Sequence, residues 1–406
     1  MRGGNIQLAQ LGTRSVWAGE DEYLMQGATQ VPVVHSVGYG YDDLDEWHEV
    51  ALGLRPGHIY GRNTNPTVHV FEEKVRILEG AEAATSFSTG MAAISNTLFT
   101  LLRPGDRIVS LVDTYGGTNK IFSEFLPNFD IEAVLCPTTD HERIVHEVQQ
   151  KAKILYLESP TNPTLKIVDI KRLADAAHDA GALVVVDNTF ATPINQQPLT
   201  LGADLVIHSA TKFLGGHADA LGGVVCGRPE LVHDIYHFRE INGATLHPMS
   251  AYLLLRGMKT LELRVHQQST SAMQIAQMLE QNSAVQKVFY PGLPNHENHA
   301  IAARQMREYG GVLSFSLKGG FDAVRELLPN LHYAHLAANL GAVETTAGPP
   351  RTTSHVELTA EERDILGIPE SLVRYSVGIE NVEDLINDLT QGLERISHGH
   401  PLRSRL

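Results

Sequence analysis

Apolar positions along this 406-residue chain follow two rhythms. Short continuous runs, rich in branched side chains and closed off by polar turns, occupy Ala83–Phe87, Arg107–Val112, Ile154–Leu157, Leu183–Val186 and Leu205–Ile207. Runs of that length and composition predict strands buried on both faces. Between them lie stretches with helical spacing, at Val68–Leu78, Ala92–Leu102 and Asp169–Ala180. Strand alternating with amphipathic helix predicts an α/β domain, its sheet mostly parallel and covered by helices on both sides.

Beyond about residue 260 the order changes. A long helix over Thr260–Gln281 leads to strands near Val285–Tyr290, Gly311–Leu317 and Val373–Val377. A last helix runs from Asn381 to Ser397, with Asn381 as its cap, Glu383 and Asp384 in its first turn, and one apolar face made by Val382, Leu385, Ile386, Leu389 and Leu393. These elements predict a smaller α+β domain. Residues 1–60 read as irregular, with glycines and an acidic stretch containing Asp42, Asp43, Asp45, Glu46 and Glu49. Such an arm commonly packs on a partner subunit. The expected organisation is an N-terminal arm (1–65), a large domain (66–260) and a C-terminal domain (261–406).

Charge and cysteine usage narrow the function classes. The net charge is −15 and no basic run occurs, so no nucleic-acid partner is expected. Cys136 and Cys226 lie far apart, which fits a reducing cytoplasm better than a disulfide framework. No apolar run approaches the ~18 residues of a membrane span, and Met1–Asn5 opens no signal-peptide core. A cytoplasmic protein with no membrane partner is expected. His141-Glu142 followed by His146 misses the zinc-protease spacing by one residue, and no metal site is expected.

Three segments carry chemistry. Asp204–Gly216 is an apolar run that ends in Ser209, Thr211 and Lys212, then two glycines. A lysine at a buried strand end is costly unless paired or neutralised, and burial depresses an amine pKa toward nucleophilic use. Leu183–Asp187 puts an acid at the end of a run expected to be fully buried, where ligands of open α/β sheets bind. Ser86–Ala93 brings Gly90 and Met91 to a strand–helix junction whose free N–H groups suit a phosphate.

Together these segments resemble the trans-sulfuration (Cys/Met metabolism) family of fold type I pyridoxal-phosphate enzymes, which includes the cystathionine γ-synthases and γ-lyases. The resemblance runs from about Thr13 to the C-terminal helix. It implies pyridoxal 5′-phosphate as cofactor, with Lys212 as the Schiff-base lysine and Asp187 on the ring nitrogen. Ser209, Thr211, Gly90 and Met91 would cradle the phosphate. Tyr60 and Arg62, in Tyr60–Thr67, would reach the phosphate of a neighbouring subunit. Tyr115 would stack on the ring and assist catalysis, Asn162 would lie near the ring hydroxyl, and Arg374 would grip the substrate carboxylate. The implied assembly is a homotetramer of two active dimers, and the substrate a small molecule of the amino-acid class.

The chain departs from the family at informative places. Methionine γ-lyases of this family carry cysteine where Gly117 stands, and many cystathionine enzymes carry Glu-Ser where Ala338-Asn339 stands. Asn339 can still hydrogen-bond a carboxylate. The loop Ala347–His355 also departs from the usual His-Pro-Ala-x-Met-Thr-His pattern. The resulting expectation is γ-elimination from a γ-heteroatom-substituted homoserine-type amino acid. The acidic arm suggests a cationic one such as canavanine. The alternative is γ-replacement, as in a cystathionine γ-synthase or O-acylhomoserine sulfhydrylase.

Overall fold

The computed structural model describes residues 6–20, 28–356 and 358–397. The Met1–Asn5 segment, on which the leader expectation rests, lies outside them.

The expected strands form, each within a residue or two of its apolar run. A seven-stranded sheet contains β1 (Ala83–Phe87), β2 (Arg107–Leu111), β3 (Glu132–Cys136), β4 (Ile154–Glu158), β5 (Leu183–Asp187), β6 (Leu205–Ser209) and β7 (Gly223–Gly227), in the order β1-β7-β6-β5-β4-β2-β3. Strand β7 runs antiparallel to both neighbours and every other pairing is parallel. One core, including Val184, Val186 and Val206, fills one face of this sheet, and another, including Val185, Leu205 and Ile207, fills the opposite face. Alternating side chains of the same strands supply the two cores, as burial on both faces requires.

The second sheet has five strands: β8 (Val285–Phe289), β9 (Val312–Leu317), β10 (His335–Leu336), β11 (Thr346–Gly348) and β12 (Leu372–Ser376), ordered β10-β11-β12-β9-β8. The helix Val382–Ser397 packs on it through Leu385, Leu389 and Leu393, all fully buried. Asn381 Oδ1 accepts from the Glu383 N–H at 2.9 Å, the capping bond its position suggested. Among the described residues no helix is long and apolar enough to cross a membrane.

The N-terminal region departs from expectation. It is not irregular throughout: it forms helices α1 (Leu11–Trp17) and α2 (Leu44–Ala51). Helix α1 packs on the chain's own α3 (Pro66–Glu79), pinned by an unusual contact. Lys74 of α3 is fully buried, pairs with Glu20 at 2.7 Å, and donates to the carbonyls of Ser15 (2.9 Å) and Val16 (3.0 Å) at the end of α1. Those acceptors compensate the burial of its charge. In α2, the Asp43 carboxylate caps the helix by accepting from Asp45 and Glu46, and Glu46 pairs with Arg55. Two of the five acidic side chains are therefore engaged locally.

Candidate active site

The site lies at the carboxyl ends of β4, β5 and β6, where open parallel sheets gather ligands. Asp187, the last residue of β5, is buried. Its Oδ1 accepts from the Thr189 N–H at 3.0 Å and the Thr189 hydroxyl at 2.6 Å. The same hydroxyl oxygen accepts the Ser209 N–H at 2.9 Å, so one threonine ties the β5 acid to the end of β6. Burial pushes the Asp187 carboxyl above its ordinary range, and the Thr189 bonds oppose that push.

Glu158, the last residue of β4, stands in register with Asp187. Its two oxygens accept from the backbone N–H groups of Tyr115 (2.8 Å) and Asn162 (3.2 Å). One carboxylate thus fixes two of the expected site residues. Burial, then the charge of Asp187, raises the Glu158 carboxyl well above the ordinary range. Among the described residues neither acid has an ion-pair partner. Thr189 and Glu158 had not been singled out from sequence, although Glu158 closes the apolar run Ile154–Leu157 just as Asp187 closes Leu183–Val186.

Lys212 follows β6 by three residues. Its Nζ donates to Asn339 Oδ1 at 3.0 Å. Burial, and secondarily the Arg374 charge, lowers its amine to about 8. Arg374, on β12, is itself buried; one Nη donates to Asn162 Oδ1 at 2.9 Å and the other to the Asn339 carbonyl at 3.3 Å. Lys212, Asn339, Arg374 and Asn162 are therefore joined in one hydrogen-bonded chain spanning both sheets.

Helix α4 (Gly90–Leu101) points its N-terminus at the same place. The Thr89 hydroxyl caps it by accepting from Ala92, leaving the Gly90 and Met91 N–H groups without partners among the described residues. A Cβ on Gly90 would lie 2.7 Å from Ser209 Cβ and 3.0 Å from Ser209 Cα, so only glycine lets α4 close on β6. The Ser209 hydroxyl has no hydrogen-bond partner among the described residues. Thr211 Oγ1 instead exchanges bonds with the Gly222 peptide, accepting its N–H at 3.1 Å and donating to its carbonyl at 3.3 Å.

Tyr115 occupies the N-cap position of helix α5 (Gly116–Lys120) without a side-chain capping bond and is 45% exposed. A Cβ on Gly117 would stand 2.9 Å from both the Tyr115 ring and Met91 Sδ. Ser354 covers this corner, with its carbonyl 2.9 Å from where a Gly116 Cβ would lie. Beside it His355 is buried, and burial and then Arg374 hold its imidazole down to about 4. Tyr60 and Arg62 are not brought to this cluster within one chain. The Arg62 guanidinium stacks over the Tyr60 ring at 5.1 Å and donates to the Glu240 carbonyl at 2.8 Å, and Tyr60 is 42% exposed.

The donor set suits an aromatic aldehyde phosphate. A helix N-terminus and a free serine hydroxyl match a phosphate, an amine lowered to about 8 matches an aldehyde carbon, and a buried acid lacking a cation matches a protonated ring nitrogen. A seven-stranded, mostly parallel sheet with this arrangement at its carboxyl edge defines a fold type I pyridoxal-phosphate enzyme. The model of the family described as Cys/Met metabolism PLP-dependent enzymes matches residues 12–394, and the chain belongs to that family.

Its relatives differ in chemistry. An L-methionine γ-lyase of Fusobacterium nucleatum is 42% identical, covering 95% of this chain and 98% of the relative. A cystathionine γ-lyase of Bacillus subtilis is 41% identical, covering 91% of this chain and 95% of the relative. The crystal structure of cystathionine γ-synthase from Xanthomonas oryzae pv. oryzae, in complex with aminoacrylate and cysteine, superposes with a TM-score of 0.92 at 37% identity, covering 97% of this chain and all of that one. The protein is a PLP-dependent enzyme of amino-acid metabolism, within the range of γ-lyase, γ-synthase and sulfhydrylase activity.

Proposed function

We propose that the enzyme catalyses γ-elimination from a γ-heteroatom-substituted homoserine-type amino acid. The observation that supports the reading is the chain Lys212–Asn339–Arg374–Asn162, in which one asparagine accepts from a lowered amine through its side chain and from a buried guanidinium through its carbonyl. When bound, the cofactor supplies an electron sink for charge developing at the substrate α-carbon.

The chain's own residues supply the rest. Arg374 takes the substrate carboxylate with its fork, oriented by Asn162. Lys212 Nζ would hold the cofactor through its aldehyde, and its amine, lowered to about 8, would serve as the base for the substrate α-proton. Asn339 aims that nitrogen. Asp187 would pair with the ring nitrogen and keep it protonated, and Thr189 fixes the orientation of its carboxylate. The Tyr115 hydroxyl delivers a proton to the departing γ-atom. Gly90, Met91, Ser209 and Thr211 would hold the phosphate, joined by Tyr60 and Arg62 of a neighbouring copy in a homotetramer of active dimers. The division at residues 65 and 260 belongs to the same reading. So does a cytoplasmic location, supported by two free, buried cysteines.

Gly117, in place of the cysteine of the family's methionine γ-lyases, and Ala338, in place of a glutamate, support a substrate other than methionine or cystathionine. The acidic segment at helix α2 supports a cationic one such as canavanine through Asp42, which precedes the helix cap, and Asp45 and Glu49 on the helix. The alternative, γ-replacement on an acylated homoserine, is favoured by the close superposition on a cystathionine γ-synthase. A panel of purified-enzyme reactions with canavanine, cystathionine, methionine and O-acylhomoserines separates them. The expected result is thiol-independent release of the γ-group from canavanine, with cystathionine and methionine turned over slowly. Fast turnover confined to an acylated homoserine plus a thiol overturns the elimination reading.

A further inference from the structure

The segment bearing Tyr60 and Arg62 pairs with Val37–Tyr39 through backbone bonds and is gripped from its other side by the helix Pro229–Asn242, through two adjacent residues. Arg239 is 3% exposed, yet it lies outside the catalytic cluster. Its Nη2 donates to the Asn63 carbonyl at 2.6 Å, and its Nη1 donates to the Ser86 carbonyl at 2.9 Å and to Glu72 Oε1 at 3.1 Å. Glu240 accepts from the Asn63 side chain and, through its own carbonyl, from Arg62 Nε at 2.8 Å. The turn that Arg239 grips is closed by the Asn63 N–H bonding to the Tyr60 carbonyl at 2.9 Å. The same oxygen of Glu72 accepts both the N–H and the hydroxyl of Ser86 at 2.8 Å. Ser86 lies four residues before Gly90 on the strand that leads to the phosphate cradle.

We infer that Arg239 is a positioning residue for the Tyr60–Arg62 turn, holding it preformed for the phosphate site of a neighbouring copy. A buried guanidinium without a catalytic partner needs acceptors, and here the acceptors are the turn carbonyl on one side and the Glu72 carboxylate and Ser86 carbonyl on the other. The fork makes the turn's position a property of the folded core instead of a surface arm. The inference rests on the proposed reading that Tyr60 and Arg62 act across a dimer interface.

Subunit hybrids test both. Differently tagged copies are co-expressed and purified through both tags. The full-length Lys212→Ala chain, with an intact turn but no cofactor lysine, is paired with Arg239→Met or with Arg62→Ala. After dilution into cofactor-free buffer, borohydride fixes whatever cofactor is still held at Lys212, and mass spectrometry counts it. Only the subunit that retains Lys212 is read. In homo-oligomers, Arg239→Met and Arg62→Ala should each weaken cofactor retention about ten- to a hundredfold, the effect of losing a charged hydrogen bond. Arg239→Lys keeps the charge but loses the fork, and should fall between.

In both hybrids retention at Lys212 should return to wild type, because the turn serving that site comes from the Lys212→Ala copy. Recovery with Arg62→Ala but not with Arg239→Met shows that Arg239 acts on its own cradle through Ser86, and overturns the inference alone. No recovery with Arg62→Ala, or failure of the two tags to copurify, overturns the interface reading and the inference with it. Undiminished retention in the Arg239→Met homo-oligomer also overturns the inference. If circular dichroism shows that Arg239→Met does not fold, Arg239→Lys goes through the same hybrids with the same outcomes.

Discussion

Capture of the cofactor by Lys212 should show the cost of burying an amine. Burial and the nearby Arg374 lower this lysine from its ordinary 10.5 to about 8. At pH 7 an ordinary lysine is neutral in roughly one molecule per 3,000, whereas an amine titrating near 8 is neutral in roughly one in ten, an enrichment of about 300-fold. Only the neutral amine attacks an aldehyde. Cofactor-free protein mixed with pyridoxal phosphate between pH 6 and 10, and followed by absorbance, should bind at a rate that rises about tenfold per pH unit and levels off near pH 8. Replacing Arg374 with leucine should move that break upward only modestly, because burial is the larger cause. A rate still climbing steeply above pH 9 would refute the argument, since it would put the amine in water.

Three further outcomes follow from particular contacts. Gly90→Ala forces a methyl to within 2.7 Å of Ser209 Cβ and 3.0 Å of its Cα, so the cradle must open; cofactor affinity by absorbance titration should fall at least about tenfold, and stability by about 1–3 kcal/mol. Glu20→Ala leaves Lys74 fully buried without its carboxylate partner, and urea unfolding should report a loss of about 3–5 kcal/mol. Glu158→Gln offers one acceptor oxygen to two backbone donors, those of Tyr115 and Asn162; kcat should drop and denaturant stability should fall by about 1–3 kcal/mol, whereas an unchanged kcat would sever Glu158 from the site.

The parts of the fold legible in the sequence are those whose burial leaves a one-dimensional trace. Strands β4, β5 and β6 are apolar on both faces, so their runs stand out. Strand β3 is only partly buried at the sheet edge, and β7 is bounded by Gly223 and Gly227, so neither has a clean run. Helix α1 was missed because what holds it is Lys74, sixty residues away and polar. The site divides along the same line. Asp187 and Lys212 end buried runs and could be read from them. Glu158 carries the same signature, but next to two prolines it reads as part of a turn. Arg239 gives no signal, because its acceptors come from residues 63, 72 and 86, contacts that only the tertiary fold assembles.

Asn339 bears most directly on the branch between elimination and replacement. Its side-chain oxygen takes Lys212 while its backbone carbonyl takes Arg374. Its carbonyl also accepts the Thr346 hydroxyl at 3.0 Å, which anchors the segment to β11. An asparagine here uses its oxygen on the lysine and leaves an NH2 donor, where the Glu-Ser of many cystathionine enzymes offers a carboxylate and a hydroxyl. A donor next to the reacting lysine favours substrates whose γ-substituent presents an acceptor atom there. With Ala338 beside it, no carboxylate stands at that position to hold a distal ammonium. Within the proposed elimination, the pair would therefore disfavour cystathionine, whose distal ammonium finds no carboxylate there, and favour a leaving atom that accepts a hydrogen bond well.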